Sequence, residues 1–256
     1  MPEPEAVLTQ PRDGVLVITI NRPDQRNAIN AAVAQGIADA LDHLDGDDTL
    51  ALGVLTGAGK GFCAGMDLKA FVAGESPHVE GRGFAGITRR AAVKPLIAAI
   101  EGFAVAGGLE VALACDLIVA ARGAKLGIPE AKRSLVAAGG ALLRLPRVLP
   151  RGIAMEMALT GDPITAERGY ELGLVNRLAD PGATLDTALE LAGAVSVNGP
   201  LALTAAKRIL TESVDWPEAE FFDRQSEIAG PVMASQDARE GATAFAEKRA
   251  PVWRGR

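Results

Sequence analysis

Residues 94–132 read KPLIAAIEGFAVAGGLEVALACDLIVAARGAKLGIPEAK. Two short apolar runs, Pro95–Ile100 and Leu117–Ala120, have strand character, and a glycine turn and a helix of small residues lie between them. Glu110 stands inside that helix, beside Gly107-Gly108 and among Val111, Ala112, Leu113 and Ala114, and Glu130 follows on the next loop. An unpaired carboxylate in such surroundings costs several kcal/mol or is forced to keep its proton. A small-residue helix that carries an acid needs a reason for it, and the remaining chain reads as the frame that positions this segment.

Upstream of it, a short predicted helix holds Ile87 and the pair Arg89-Arg90. Residues 72–86, VAGESPHVEGRGFAG, carry glycine, proline and charge without a period and read as a mobile loop. Ala51–Thr56 is a buried strand running into the glycine-dense GAGKGFCAG. A helix with Val33, Ile37, Leu41 and Leu44 on one face precedes it, and Gly14–Asn21 alternates as a strand ended by Arg22-Pro23. Downstream, Val136–Gly140 is a small-residue turn. It is followed by Leu142–Leu149, helices at Ile153–Leu159 and Ala166–Leu172, and a short strand at Leu174–Asn176. From Thr184 the pattern is helical throughout, with segments at 185–195, 201–210, 218–233 and 238–248. Strands and helices alternate to about residue 180 and helices alone follow, the pattern of an α/β core with a helical C-terminal subdomain.

The 256 residues, 48% hydrophobic and 23% charged, describe a globular chain able to bury a substantial core. A net charge of −6 and 4% aromatics argue against a nucleic-acid partner, which needs a basic surface and stacking rings. No apolar run approaches the ~18 residues that span a bilayer. The acidic, proline-bearing start MPEPEAVLTQ lacks the basic and apolar regions of a leader, so a cytoplasmic location is expected. Cys63 and Cys115 lie in apolar or glycine-rich contexts and read as buried free thiols, with a disulfide as the alternative.

Several chemistries fail on spacing. In GAGKGF, Gly61 occupies the hydroxyl position of a phosphate-binding loop and Phe62 the third glycine of a dinucleotide fingerprint. No Gly-x-Ser-x-Gly turn is present. His43 and His78 read as surface residues, and no cluster has zinc spacing, so no metal is expected. What remains is backbone donors with paired acids. Gly107-Gly108 opens a helix whose first N–H groups are unpaired, and glycine there admits a ligand close to the backbone. The loop Phe62–Asp67 ends a buried strand and offers a second N–H. Two converging donors make an oxyanion hole. The plainer reading of Gly107-Gly108 is tight helix–strand packing. Glu110 has a plainer reading as partner of Arg89, Arg90 or Arg144, and Glu130 as an ordinary first-turn acid after Pro129.

The motifs NRPDQRNAI (21–29), VLTGAGKGFCAGMDL (54–68), the opening segment through 120, Gly-x-Pro-Glu in GIPEAK (127–132), EMALTGDPITAERGYELGLVN (156–176) and FAEKR (245–249) occur in order. Over nearly its whole length the chain resembles the enoyl-CoA hydratase/isomerase (crotonase) superfamily. The resemblance implies an α/β fold, a crotonase-like spiral of ββα units over residues 1–195. An all-helical trimerisation subdomain over 196–256 would assemble a homotrimer or homohexamer. It implies that the N–H groups of Met66 and Gly107 hold a thioester oxygen and that Glu110 and Glu130 are the catalytic acids. Coenzyme A, part of the substrate and the only cofactor-like group expected, would thread along Arg26, Asn27 and Ala28 and along Ala64, Asp67, Leu68 and Lys69. Phe245 and Lys248 would reach the coenzyme A of a neighbouring subunit.

Two acids together imply reversible hydration of a 2-enoyl-CoA. Carnitinyl-CoA dehydratase or enoyl-CoA isomerase activity is the alternative, because PEAK, LLRLPRVLP and the ending AFAEKRAPVWRGR resemble the carnitinyl-CoA branch. A trimethylammonium chain would call for an acid or aromatic cage, and the sequence offers few aromatics. A binding protein for acyl-CoA or RNA without turnover is the reading from another class; the scattered arginines and acidic total disfavour RNA. Ala137 and Ala138 replace a proline and glycine common in the family.

Overall fold

A computed structural model describes residues 5–256; residues 1–4 of the acidic N-terminal stretch lie outside it. In chain order the elements are β1 (Val7–Arg12), β2 (Val15–Ile20), α1 (Ala31–Gly46), β3 (Leu52–Gly57), α2 (Leu68–Val72), β4 (His78–Val79), β5 (Gly83–Phe84), β6 (Leu96–Ile100), β7 (Phe103–Val105), α3 (Gly107–Leu113), β8 (Leu117–Ala121) and β9 (Lys125–Gly127). They continue with α4 (Ala141–Val148), α5 (Arg151–Thr160), β10 (Ile164–Thr165), α6 (Ala166–Glu171), β11 (Arg177–Ala179), α7 (Thr184–Ser196), α8 (Pro200–Glu212), α9 (Phe221–Met233) and α10 (Gln236–Glu247).

The main sheet runs β1-β2-β3-β6-β8-β11, antiparallel only at β1–β2. Its inner strands are buried on both faces, which is why they read as unbroken apolar runs. On β6, Leu96, Ala98 and Ile100 face the core shared with α1, while Ile97 and Ala99 face the layer closed by Ala188 and Ala192 of α7. The helical face expected of residues 33–44 is present: Val33, Ile37, Leu41 and Leu44 are fully buried. Asn30 caps α1 by accepting a hydrogen bond from Val33 N at 3.1 Å.

A smaller sheet, β10-β9-β7, forms a second layer. Successive strands climb from one layer to the other and return through a helix, as in β6-β7-α3 followed by β8-β9, which makes the spiral of ββα units. The chain crosses from β6 to β7 at Gly102, where φ is +56° and an added Cβ would lie 2.2 Å from Lys60 O, so only glycine fits.

Residues 72–86 depart from the expected mobile loop, and 87–90 from the expected helix. His78 pairs with Phe84 in a short hairpin, and Phe84, Ala85 and Ile87 are buried. Irregular backbone explains the missing period, but the segment is anchored. Arg82 is buried, donates to Arg90 O at 3.1 Å and pairs with Asp42 of α1. Asp42→Ala should therefore destabilise the fold by about 1–3 kcal/mol, because it leaves a buried guanidinium short of an acceptor. A denaturant midpoint equal to that of wild type would show that the loop is held otherwise. The strand expected at 174–176 lies at Arg177–Ala179 instead, after Leu174 and Val175 have packed into the core. No single helix among the described residues is long and apolar enough to cross a membrane.

Candidate active site

Register in the small sheet brings the segments of interest together. Val105 of β7 pairs with Gly127 of β9, so Gly107–Glu110 and Pro129-Glu130 leave the same end of neighbouring strands. Cys63 forms a bridge to Ala104, which lays the loop 62–66 along the other side of β7. Ile29 N donates to Gly65 O and Asp67 N donates to Ile29 O, both at 2.8 Å, pinning that loop to residues 26–29.

The two N–H groups named from sequence are free. Neither Met66 N nor Gly107 N meets a protein acceptor among the described residues. Their loops touch: a Cβ on Gly65 (φ +94°) would lie 2.9 Å from Gly107 N. Ala106 holds φ +52° and ψ −132°, a conformation rare for a residue with a side chain and worth about 1–3 kcal/mol of strain. It is held there because Ala106 N donates to Gly127 O at 2.9 Å and Ala106 O accepts from Leu109 N, also at 2.9 Å. Cys63, a free buried thiol pushed up to about 12 by desolvation, accepts from Gly65 N at 3.3 Å and steadies the same turn. Gly108 serves close packing, since its Cβ would fall 2.2 Å from Cys63 O. Gly107 is closely packed as well, an added Cβ falling 2.6 Å from the Phe84 ring, so the tight-packing reading applies to both glycines while the Gly107 N–H stays without an acceptor among the described residues.

Glu110 is buried on α3, and its Oε1 accepts from Ala141 N at 3.1 Å. Burial pushes its carboxyl above the ordinary range, opposed by backbone N–H groups of Ala141, Gly139 and Gly140 and by the Arg144 guanidinium. Gly139 packs on the carboxylate itself, where a Cβ would lie 2.5 Å from Oε2. Arg144 is not in ion-pair contact with it and donates instead to Thr88 O at 2.6 Å. Glu130 lies on a single 3-10 turn, Pro129–Arg133, whose Pro129 sits in the first turn. Burial also raises its carboxyl, and the Glu110 charge raises it further. Its Oε2 is buried with no hydrogen-bond partner among the described residues. Glu110 is thus faced by backbone donors, whereas Glu130 keeps one buried oxygen without a partner, with a backbone N–H and the Arg133 charge opposing the upward push on its carboxyl.

A cavity of about 410 Å³ opens over this group, lined by Arg26, Ala64, Met66, Leu68, Gly107, Glu110 and Glu130 among others. Other residues named from sequence frame it. Asn27 is buried and donates to Ala58 O at 2.9 Å and Gly61 O at 2.7 Å. Asp67 caps α2 through Lys69 N and Ala70 N and pairs with Arg22 at 3.0 Å. Ala28 O accepts from Arg22 Nη1 at 2.6 Å. The side chains of Asn27 and Asp67 are therefore committed to the loops. Lys69, Phe245 and Lys248 do not line the cavity, and Phe245 is exposed on α10. The wall also contains His78, Phe71, Phe84, Arg133, Leu135, Val136 and Ala138. His78 is exposed, as expected, and its ring stands against that of Phe84 with centroids 5.8 Å apart. Apart from Ala138, a departure from the family pattern, no local signal marks these residues, and a hairpin without a period carries two of them. No group of metal-ligating side chains occurs among the described residues.

The family model described as enoyl-CoA hydratase/isomerase matches residues 10–256. The chain belongs to the enoyl-CoA hydratase/isomerase family. Enoyl-CoA hydratase EchA19 of Mycobacterium tuberculosis is 43% identical, with 97% of this chain and 96% of the relative covered. Carnitinyl-CoA dehydratase of Salmonella typhi is 41% identical over 94% of this chain and 95% of its own. Among solved structures, enoyl-CoA hydratase EchA1 from Mycobacterium marinum superposes with a TM-score of 0.97 at 58% identity, covering 99% of this chain and 100% of that one. The spiral described above is therefore the crotonase fold of this family.

Proposed function

We propose that the chain is a hydro-lyase that reversibly adds water to a 2-enoyl-CoA, giving a 3-hydroxyacyl-CoA. The observation that carries this is that Glu110 and Glu130 line one cavity beside two free backbone donors. Met66 N and Gly107 N would donate to the thioester oxygen and draw charge from C3. Glu110, ionised, takes a proton from water as the oxygen bonds to C3. Electrons move through the enolate onto the thioester oxygen, and Glu130 returns a proton to C2 as the carbonyl reforms. Each donor of this kind is worth ~2.7–4 kcal/mol. The reverse sequence removes water. Coenzyme A would run past Arg26 and Ala64, Arg26 being steadied 4.6 Å over the Phe103 ring, with the adenine near the Ala64 backbone. Leu68, Phe71, Leu135 and Val136 leave an exposed apolar rim suited to an acyl thioester.

The similarity to carnitinyl-CoA dehydratase leaves a second activity to compare. Charge disfavours it: apart from the two reacting acids, the ionisable residues lining the cavity are Arg26, Arg133 and His78. A trimethylammonium group would find like charge there. Wild type should hydrate crotonyl-CoA, followed as loss of the conjugated thioester absorbance. Inactivity on 2-enoyl-CoAs of every length, with crotonobetainyl-CoA hydrated, would overturn the reading.

Residues 196–256 would form the oligomerisation subdomain of a homotrimer or hexamer. In support, α8 and α9 bury no residue completely and present Leu210, Phe222 and Met233, each at least 74% exposed. Phe245 and Lys248 would then serve a neighbour's coenzyme A. The free thiols agree with a reducing, cytoplasmic setting.

A further inference from the structure

The chain carries a net charge of −6, yet apart from Glu110 and Glu130 every ionisable residue lining the cavity is basic. Arg133 follows Glu130 on the same 3-10 turn and lines the cavity. Its neighbour Lys132 is tied to Asp162, whereas the exposed Arg133 guanidinium has no ion-pair or hydrogen-bond partner among the described residues. A second recess of about 350 Å³ shares His78, Phe84, Ala138 and Gly139 with the first and is lined by Arg89 and Arg144 but by no acid. Arg144 is engaged with Thr88 O. Of the three arginines on the 82–90 segment, Arg82 and Arg90 both reach Asp42, and Arg89 is left free. Phe84, Leu135 and Val136 make part of the first cavity's wall apolar.

We propose that the acyl group taken by this chain ends in a carboxylate, which Arg133 and Arg89 hold across the apolar stretch from the reacting double bond. A guanidinium fork matches a carboxylate in shape and charge. The apolar wall suits the methylenes between the two ends. The assignment rests on the hydratase reading and narrows its substrate to 2-enoyl-CoAs with an ω-carboxylate.

The test compares trans-2-hexenedioyl-CoA with trans-2-hexenoyl-CoA, which differ at the far end of the chain. Wild type should favour the carboxylated substrate in kcat/KM by about tenfold or more, as expected for a charge-assisted hydrogen bond. In R89A/R133A, with folding checked by thermal melting, that ratio should fall toward unity, chiefly through KM. A wild-type ratio at or below unity overturns the proposal. So does a ratio that survives in the variant because both substrates weaken together, the behaviour of arginines that hold a coenzyme A phosphate instead. Turnover of hexenoyl-CoA alone refutes the carboxylate while leaving the hydratase reading intact. Turnover of no enoyl-CoA removes both.

Discussion

Glu130→Gln is expected to lower kcat on crotonyl-CoA by about 10²–10⁴-fold, and Glu110→Gln by a similar factor, the range for losing a positioned general acid or base. The double variant should be little worse than either single one, because in the proposed mechanism the two groups act on one water and one proton inventory. Their surroundings also set the pH profile. Burial holds both carboxyls above the ordinary value; backbone N–H groups and Arg144 favour the charge on Glu110, while on Glu130 a backbone N–H and Arg133 favour it and the Glu110 charge opposes it. The proposed mechanism requires Glu110 to ionise before Glu130 as pH rises. The proposed hydration would need Glu110 ionised and Glu130 protonated, so kcat/KM should be bell-shaped, and Glu110→Gln should remove the acid limb. Stability follows with its own sign. A carboxyl whose folded value is raised binds its proton more tightly folded than unfolded, so stability is highest below the unfolded value and falls as pH rises through the folded one. Glu130→Gln should remove part of that fall and melt at or above the wild-type temperature near neutral pH, although its activity is nearly gone. Either single variant within about tenfold of wild type would refute the two-acid mechanism.

How much of this was legible depended on which physical signal each residue left. Leu96–Ile100 and the α1 face from Val33 to Leu44 announce themselves because burial imposes a period or an unbroken apolar run. Glu110 was legible for the opposite reason, as an acid where burial penalises acids. β1 left a weaker mark: only Val7 of its six residues is buried, and Pro11 suits an edge strand. β7, β9 and β10, at two or three residues each, are too short to show alternation. Arg82, Phe84 and His78 were hidden in a stretch whose glycines and charges mimic a loose loop. Its order comes from Asp42, some 40 residues away in sequence, and no local pattern encodes such a pairing. Family motifs marked the residues around the reacting bond, whereas Arg133 and Arg89 became visible only when the third dimension separated paired cations from free ones.

Gly65→Ala tests whether convergence of the Met66 and Gly107 N–H groups drives the reaction. Its φ of +94° is costly for alanine, and the new Cβ would sit 2.9 Å from both Gly107 N and Ala106 Cβ and 3.2 Å from Val105 O. Two of those atoms are backbone on a strand and a helix start, and Ala106 Cβ is fixed to the same chain. None is the end of a flexible side chain, so the loops must part by some tenths of an ångström. A displaced donor loses most of its effect on the developing oxyanion, and kcat should fall about 10²–10³-fold. KM should change less, because the enolate oxygen carries more charge than the ground-state carbonyl and depends more on those donors. Backbone strain alone could destabilise the protein by about 1 kcal/mol, so a control is needed. Gly123→Ala supplies it: φ is +77° there, with nothing within 4 Å of the added Cβ. Gly123 lies in the turn between β8 and β9, outside the cavity lining. Equal losses of kcat in the two variants would assign the effect to general loosening. A loss confined to Gly65→Ala locates it in the contact between two loops that only a glycine permits.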